Sequence, residues 1–284
     1  MTAAGQSGRF QVGDYACRII PDGTLVYPRK SIDGPGADPA SVAAMPETLE
    51  VPYRALLVDT GRTRVLLDTG AGPLGAGTGQ VRAGLANAGV RPGDIDVVVL
   101  SHAHPDHIGG LTEESGQPAF PNARILVSRR EYEFWHSPDL RNRLGTGGFI
   151  GNPEMENVML AWLDRYLPPV EQQMELVEGE REVVAGVVMA PAEGHTPGHT
   201  AIAIHSRGES LLYAADLFIM PQQVAQPRWT TIFDVDRQSL VQARARMLER
   251  AAAEHAHVLL YHSGGMGRIE RRGVGFEWSE INVS

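Results

Sequence analysis

The sequence predicts an α/β fold in which helices flank sheets. Three observations predict it. Strand-like text dominates the first hundred residues. Strands and helices alternate through the middle and the end. A short, fully apolar run, DIDVVVL, then delivers the chain to a group of histidines, and the carboxyl ends of buried strands are where α/β proteins place their chemistry.

The elements follow in order. Residues 1–8 read as a flexible N-terminal tail, and residues 9–284 as a single domain. FQVGDYACRII is strand-like and is followed by a turn at PDGT. Residues 31–46 are rich in Gly, Pro, Ala and Ser and read as an exposed loop over a site. YRALLVD and TRVLLD flank TGR as a hairpin. DTGAGPLGAGTG lacks the pattern of a phosphate-binding loop, and a helix is expected over 80–88. ARILVS reads as a strand and RREYEFWHS as a helix. NPEMENVMLAWLDRYL is a second helix, opened by Asn152 and Pro153 at capping positions. EVVAGVVMAPAEG, TAIAIHS, SLLYAAD and HVLLYHS are strands, and DRQSLVQARARMLERAAAEHA is the longest helix.

Composition narrows the function. The formal net charge is −9, the wrong sign for nucleic-acid or anionic-membrane partners. Cys17 is the only cysteine, so an intrachain disulfide and a thiolate metal cage are both excluded. No signal core or membrane-spanning run is present, which points to a cytoplasmic protein.

The stretch SHAHPDHIGG places three histidines and an aspartate within positions 102–107. His102 and His104 are two apart, so they share a side of an extended segment. Pro105 disfavours helix at His104 and favours one just after it, where Asp106 and His107 fall. A polar loop with coincidental histidines is the alternative reading. Other apolar runs also end in ligand-capable groups: His195 in AEGHTPGHT, Asp216 after SLLYAA and His262 after HVLLY. His136, His205, His255 and His257 show no such pattern and read as structural or solvated.

The order HAHPDH, GHTPGH, strand-end Asp, strand-end His resembles the metallo-β-lactamase-fold hydrolase superfamily over residues 53–284. The resemblance implies an αββα sandwich with the metal site at one edge of the two sheets. It implies that His102, His104 and His195 hold one divalent ion, that Asp106, His107 and His262 hold another, and that Asp216 bridges both. Zinc is the first choice for such N/O ligands, with manganese, iron and cobalt as alternatives. Asp68, in an early DTG, and His199 are expected to support the ligands. Two such ions generate a shared hydroxide at neutral pH, and Asp106 orients it and passes a proton to the leaving group.

Local text resembles two branches: the methyl-parathion-hydrolase-like enzymes (PAFPNARILVSRREYEFW, AADLFIM, GMGRIERRGVGFEW) and the acyl-homoserine-lactone lactonases. The lactonases often carry a tyrosine three residues after the bridging Asp, where this chain has Ile219. Trp135, Phe218 and Ile219 are the expected pocket residues. The implied activity is hydrolysis of a small neutral ester or lactone, possessing phosphotriesterase activity as a second capability. The competing readings are a dedicated phosphotriesterase, a non-catalytic binder and a mononuclear iron oxygenase. The family's members are often dimers, so a homodimer is the implied assembly.

Overall fold

Alternation of apolar side chains along the strands dictates which faces of the sheets are covered. A computed structural model describes residues 7–142, 152–262 and 265–283. Residues 1–6 of the expected tail lie outside the described residues, as does Ser263 at the end of the expected last HVLLYHS strand. Gly8 is buried, and its carbonyl accepts a hydrogen bond from Ile19 N–H.

The first sheet runs in chain order: β1 (Arg9–Val12), β2 (Tyr15–Pro28), β3 (Thr48–Asp59), β4 (Arg64–Leu67), β5 (Val97–Val99), β6 (Arg124–Ser128) and β7 (Met174–Val177). Its first four strands pair antiparallel and the remainder parallel. The second sheet contains β8 (Arg181–Val184), β9 (Val187–Pro191), β10 (Thr200–Ser206), β11 (Glu209–Ala215), β12 (His257–Leu260), β13 (Met266–Arg272) and β14 (Gly275–Ile281). The helices are α1 (Pro39–Ala43), α2 (Val81–Asn87), α3 (Pro105–Ile108), α4 (Arg129–His136), α5 (Pro138–Arg141), α6 (Pro153–Tyr166), α7 (Gln222–Ala225) and α8 (Arg237–Ala253).

Three cores confirm the αββα layering. Leu56, Val65, Val97 and Val99 of the first sheet meet Ile202, Tyr213 and Leu259 of the second between the sheets. The alternate residues Leu57, Leu66 and Val98 pack outward against Leu85 of α2, Trp135 of α4 and Leu163 of α6. On the far side, Leu212, Val258 and Leu260 pack against Leu240, Met247 and Leu248 of α8.

Three local expectations differ from the structure. PDGT is no turn: β2 runs through it with a register shift between Pro21 and Gly23. There the buried Asp22 carboxylate accepts backbone hydrogen bonds from Ala71 and Val81, tying β2 to the loop after β4. EVVAGVVMAPAEG forms two strands, because Gly186 takes a positive φ of 70° and turns the chain between them. Residues 31–46 are partly helical and partly buried. Ile32 and Val42 pack with Trp229, whose indole N–H donates to Ile32 O. Among the described residues, no helix is long and apolar enough to cross a membrane.

Candidate metal centre

The ends of β4, β5, β11 and β12 converge at one edge of the sandwich. β5 leads directly into the HAHPDH segment. His104 is extended at φ −68° and ψ 152°, and Pro105 opens the single turn of α3, as the X-Pro restriction requires. This turns Asp106 and His107 back over the strand end. At the end of β11 a register shift between Tyr213 and Ala215 interrupts pairing, and Ala215 takes a φ of 44°. Such irregularities re-aim side chains, and here the next residue is Asp216.

The result is two clusters. His102, His104, His195 and Asp216 each offer a ligand atom within 4.8 Å of the others, and so do Asp106, His107, Asp216 and His262. Asp216 belongs to both. Its carboxylate oxygens lie 3.1 Å from His107 Nε2, 3.1 Å from His262 Nε2 and 3.3 Å from His195 Nε2. Asp106 Oδ2 lies 3.4 Å from His262 Nε2 and 3.6 Å from His107 Nε2.

The donor set fits divalent metal ions. His102 Nε2, His107 Nε2 and Asp216 Oδ1 are buried without a hydrogen-bond partner. Leaving buried polar atoms unsatisfied costs roughly 1–3 kcal/mol each, and a bound cation removes that cost. Burial and the neighbouring imidazoles hold His102 and His104 well below the usual histidine range, so both present a lone pair. Burial works against charge on Asp216, but His262 and His107 outweigh it and hold the carboxyl well below its usual range.

Other side chains aim the ligands. Asp68, fully buried at the end of β4, stands at φ 57°. Its Oδ1 accepts from Ser101 N–H, and its Oδ2 lies 2.9 Å from His107 Nδ1 and accepts from Ser101 Oγ–H and Tyr213 O–H. A histidine whose Nδ1–H is held this way presents Nε2 outward. His199 stays out of both clusters. Its Nδ1 donates to Ala192 O, and its Nε2 accepts from Asp216 N–H, so it braces the backbone that carries Asp216. His136, His205, His255 and His257 also lie outside the clusters.

Two supporting residues carry no sequence signal. Asp234 Oδ1 lies 2.8 Å from His195 Nδ1, and its other oxygen accepts from Thr231 N–H and Oγ–H. Glu131, fully buried on α4, accepts from Ala103 N–H, Trp135 Nε1–H, Thr196 Oγ–H and Gly198 N–H. Each is a single acidic residue far in sequence from the histidine-bearing loop it holds, so no spacing marks it.

Above the clusters opens a cavity of 460 Å³, lined by His104, Asp106, His195, Asp216 and His262 at its floor. Its walls are mostly apolar: Leu25, Val51, Leu74, Met155, Met159 and Phe233 among them. Ile219 lines it as expected. Trp135 and Phe218 do not. Both are fully buried: Trp135 packs in the first-sheet outer core with its N–H on Glu131, and Phe218 lies in the α8 core beside the Arg244 guanidinium. Ile219 beside Phe218 faces the cavity while Phe218 faces inward, an alternation that a large apolar side chain does not reveal.

A buried pair of His/Asp clusters at the edge of an αββα sandwich defines a metal-dependent hydrolase. The family model described as "Metallo-beta-lactamase superfamily" matches residues 50–261, and the chain belongs to that superfamily. An N-acyl homoserine lactonase from Bacillus sp is 29% identical over 210 residues, 66% of this chain and 69% of the relative. Among solved structures, AidC, a dizinc quorum-quenching lactonase in complex with a product, superposes with a TM-score of 0.86 at 26% identity over 99% of both chains. The hydrolase AbOPH of the beta-lactamase superfamily superposes at 0.85 with 24% identity over the whole of both chains, a likeness of fold.

Proposed function

We propose that the protein is a dizinc lactone hydrolase whose substrates carry an apolar acyl arm, with N-acyl homoserine lactones the first candidates. The observation that carries this reading is the shared Asp216 between two His/Asp clusters on the floor of an apolar cavity. The Bacillus relative and AidC, both lactonases, support it. The phosphotriesterase reading gains no support, since neither of these relatives is described as one and AbOPH resembles this chain in fold alone.

In this reading His102, His104 and His195 hold one ion, Asp106, His107 and His262 the other, and Asp216 both. Bound there, the two ions would supply an activated water and polarise the scissile carbonyl. The protein's side chains do the rest. The Asp106 carboxylate, part of the cavity floor, takes a proton from the attacking water and passes it to the alkoxide that leaves when the lactone C–O bond breaks. The apolar walls hold the acyl arm and exclude water around it.

The test couples metal content to turnover. Purified full-length chain is assayed for metal by mass spectrometry. It is then offered N-hexanoyl homoserine lactone, an aryl ester and methyl paraoxon, with and without a chelator. The expected result is two zinc ions per chain and chelator-sensitive hydrolysis that favours the lactone. A metal-loaded chain that leaves the lactone intact sinks the reading.

A further inference from the structure

The two loops that carry the first cluster come from opposite sheets. His102 and His104 follow β5 of the first sheet, and His195 lies in the loop between β9 and β10 of the second. Metal binding requires these loops to keep one separation. Ser101 O, just ahead of His102, accepts from Thr200 N–H and Oγ–H and ties the two loops at one end. Glu131 spans the gap. Its Oε1 accepts from Ala103 N–H at 2.9 Å, the residue between His102 and His104, and from Trp135 Nε1–H at 2.6 Å. Its Oε2 accepts from Thr196 Oγ–H at 2.6 Å, beside His195, and from Gly198 N–H at 3.1 Å.

A second observation shows how closely the second loop is seated on α4. A Cβ on Gly198 would lie 2.0 Å from Glu131 N, so only glycine permits the approach. Nothing equivalent joins Glu131 to the second cluster. His107 is instead held by Asp68, and none of Glu131's hydrogen bonds reaches residues 106, 107 or 262.

We infer that Glu131 is a positioning residue that sets the separation of the His102/His104 and His195 loops, and thereby the affinity of the first metal site in particular. The four donors fix what a substitution does. In Glu131→Gln, the amide oxygen can serve one pair of donors, and the NH₂ group then confronts the other. Thr196 Oγ can rotate and accept, but Gly198 N–H cannot. One loop is released while size and shape are kept.

This inference rests on reading the clusters as metal sites, and the experiment separates the two. Zinc affinity is measured by competition with a chelating dye in the full chain, in two backgrounds. His262→Ala cripples the second cluster and leaves the first. His104→Ala does the reverse. E131Q is expected to weaken zinc about 10- to 100-fold in the first background, the usual effect of removing a partner that orients ligands, and less than about threefold in the second. Equal weakening in both backgrounds, or none in either, overturns the inference. Should E131Q fail to melt cooperatively, Thr196→Val removes one donor from the same carboxylate. It is expected to weaken the first site alone by about three- to tenfold, and an unchanged first site is again fatal. A wild-type chain that binds no zinc sinks the metal reading itself, and this inference with it. Wild-type binding of two ions with indifferent E131Q and T196V overturns this inference only.

Discussion

The floor and the walls of the cavity are built on opposite plans. The floor is polar, buried and over-determined. Each of His102, His107 and His195 has its Nδ1 against an oxygen from Ser101, Asp68 or Asp234. The walls are apolar and drawn from β2, β3, α6 and the loops after β4, β11 and α7, with few polar contacts to hold them. Three of the four large hydrophobic side chains that are most exposed among the described residues, Val26, Val158 and Ile232, belong to the wall or adjoin it. The floor therefore tolerates almost no change, while the walls can vary residue by residue. In the proposed function, chemistry belongs to the first region and substrate choice to the second.

That contrast is broken most severely at the floor. His104→Ala should lower bound metal and abolish detectable lactone turnover, because it removes a ligand and leaves His195 Nε2 without its 2.9 Å neighbour. Mass spectrometry of metal content alongside the turnover assay checks it. A full complement with normal activity would contradict the floor assignment. Asp216→Asn should act more gradually. The amide keeps one oxygen for one ion, so stepwise chelation should remove one metal well before the other, whereas a shared wild-type carboxylate would hold both. Loss of both ions in one step would show that Asp216 is not shared.

The same contrast explains what could be read from the sequence. The floor ligands were legible because each terminates an apolar run, and because HAHPDH compresses its ligands into one extended-to-helical corner. The layering was legible from period-two apolar patterns such as YRALLVD, whose consecutive Leu56 and Leu57 face different cores. The walls were not. Phe233 meets Tyr27 and Val51 only through long-range folding, Trp135 turns into the outer core of the first sheet, and Phe218 turns inward just after the backbone that aims Asp216. The bulge at Gly23 and the Glu131 and Asp234 contacts likewise depend on long-range pairing that no local pattern encodes.

One polar spot on the wall sharpens the comparison. Tyr27 and Tyr53 place their hydroxyls 2.8 Å apart, and both line the cavity. Burial and the nearby Asp106 carboxylate push the Tyr27 phenol up to about 12, so it stays a neutral donor at ordinary pH. Tyr27→Phe should lower kcat/KM by about three- to tenfold, the worth of one neutral hydrogen bond, with metal content unchanged. A loss of metal in that variant would mean that the wall supports the floor after all.

The acyl arm tests the remaining wall. Burying a methylene is worth ~0.8 kcal/mol, so kcat/KM should rise by up to about fourfold per added methylene from N-butanoyl to N-hexanoyl homoserine lactone. A flat series would show that the arm lies outside the cavity.

The smallest expected effect comes at the cavity mouth. Val158 on α6 lines the cavity yet is 42% exposed, so truncating it removes little from the core. Val158→Ala should leave the melting transition within the range of ordinary surface substitutions, about 0.5 kcal/mol either way. Its loss should instead appear in binding, and only for arms long enough to reach it. KM for an N-decanoyl substrate should rise about two- to threefold, while the N-butanoyl value stays put, since the lost contact is a partial methyl burial. Paired measurement of the two substrates makes the effect internal to the protein. An equal rise for both would place Val158 on the path of the lactone ring rather than the arm. The boundary between floor and wall would then lie further out than the apolar lining suggests.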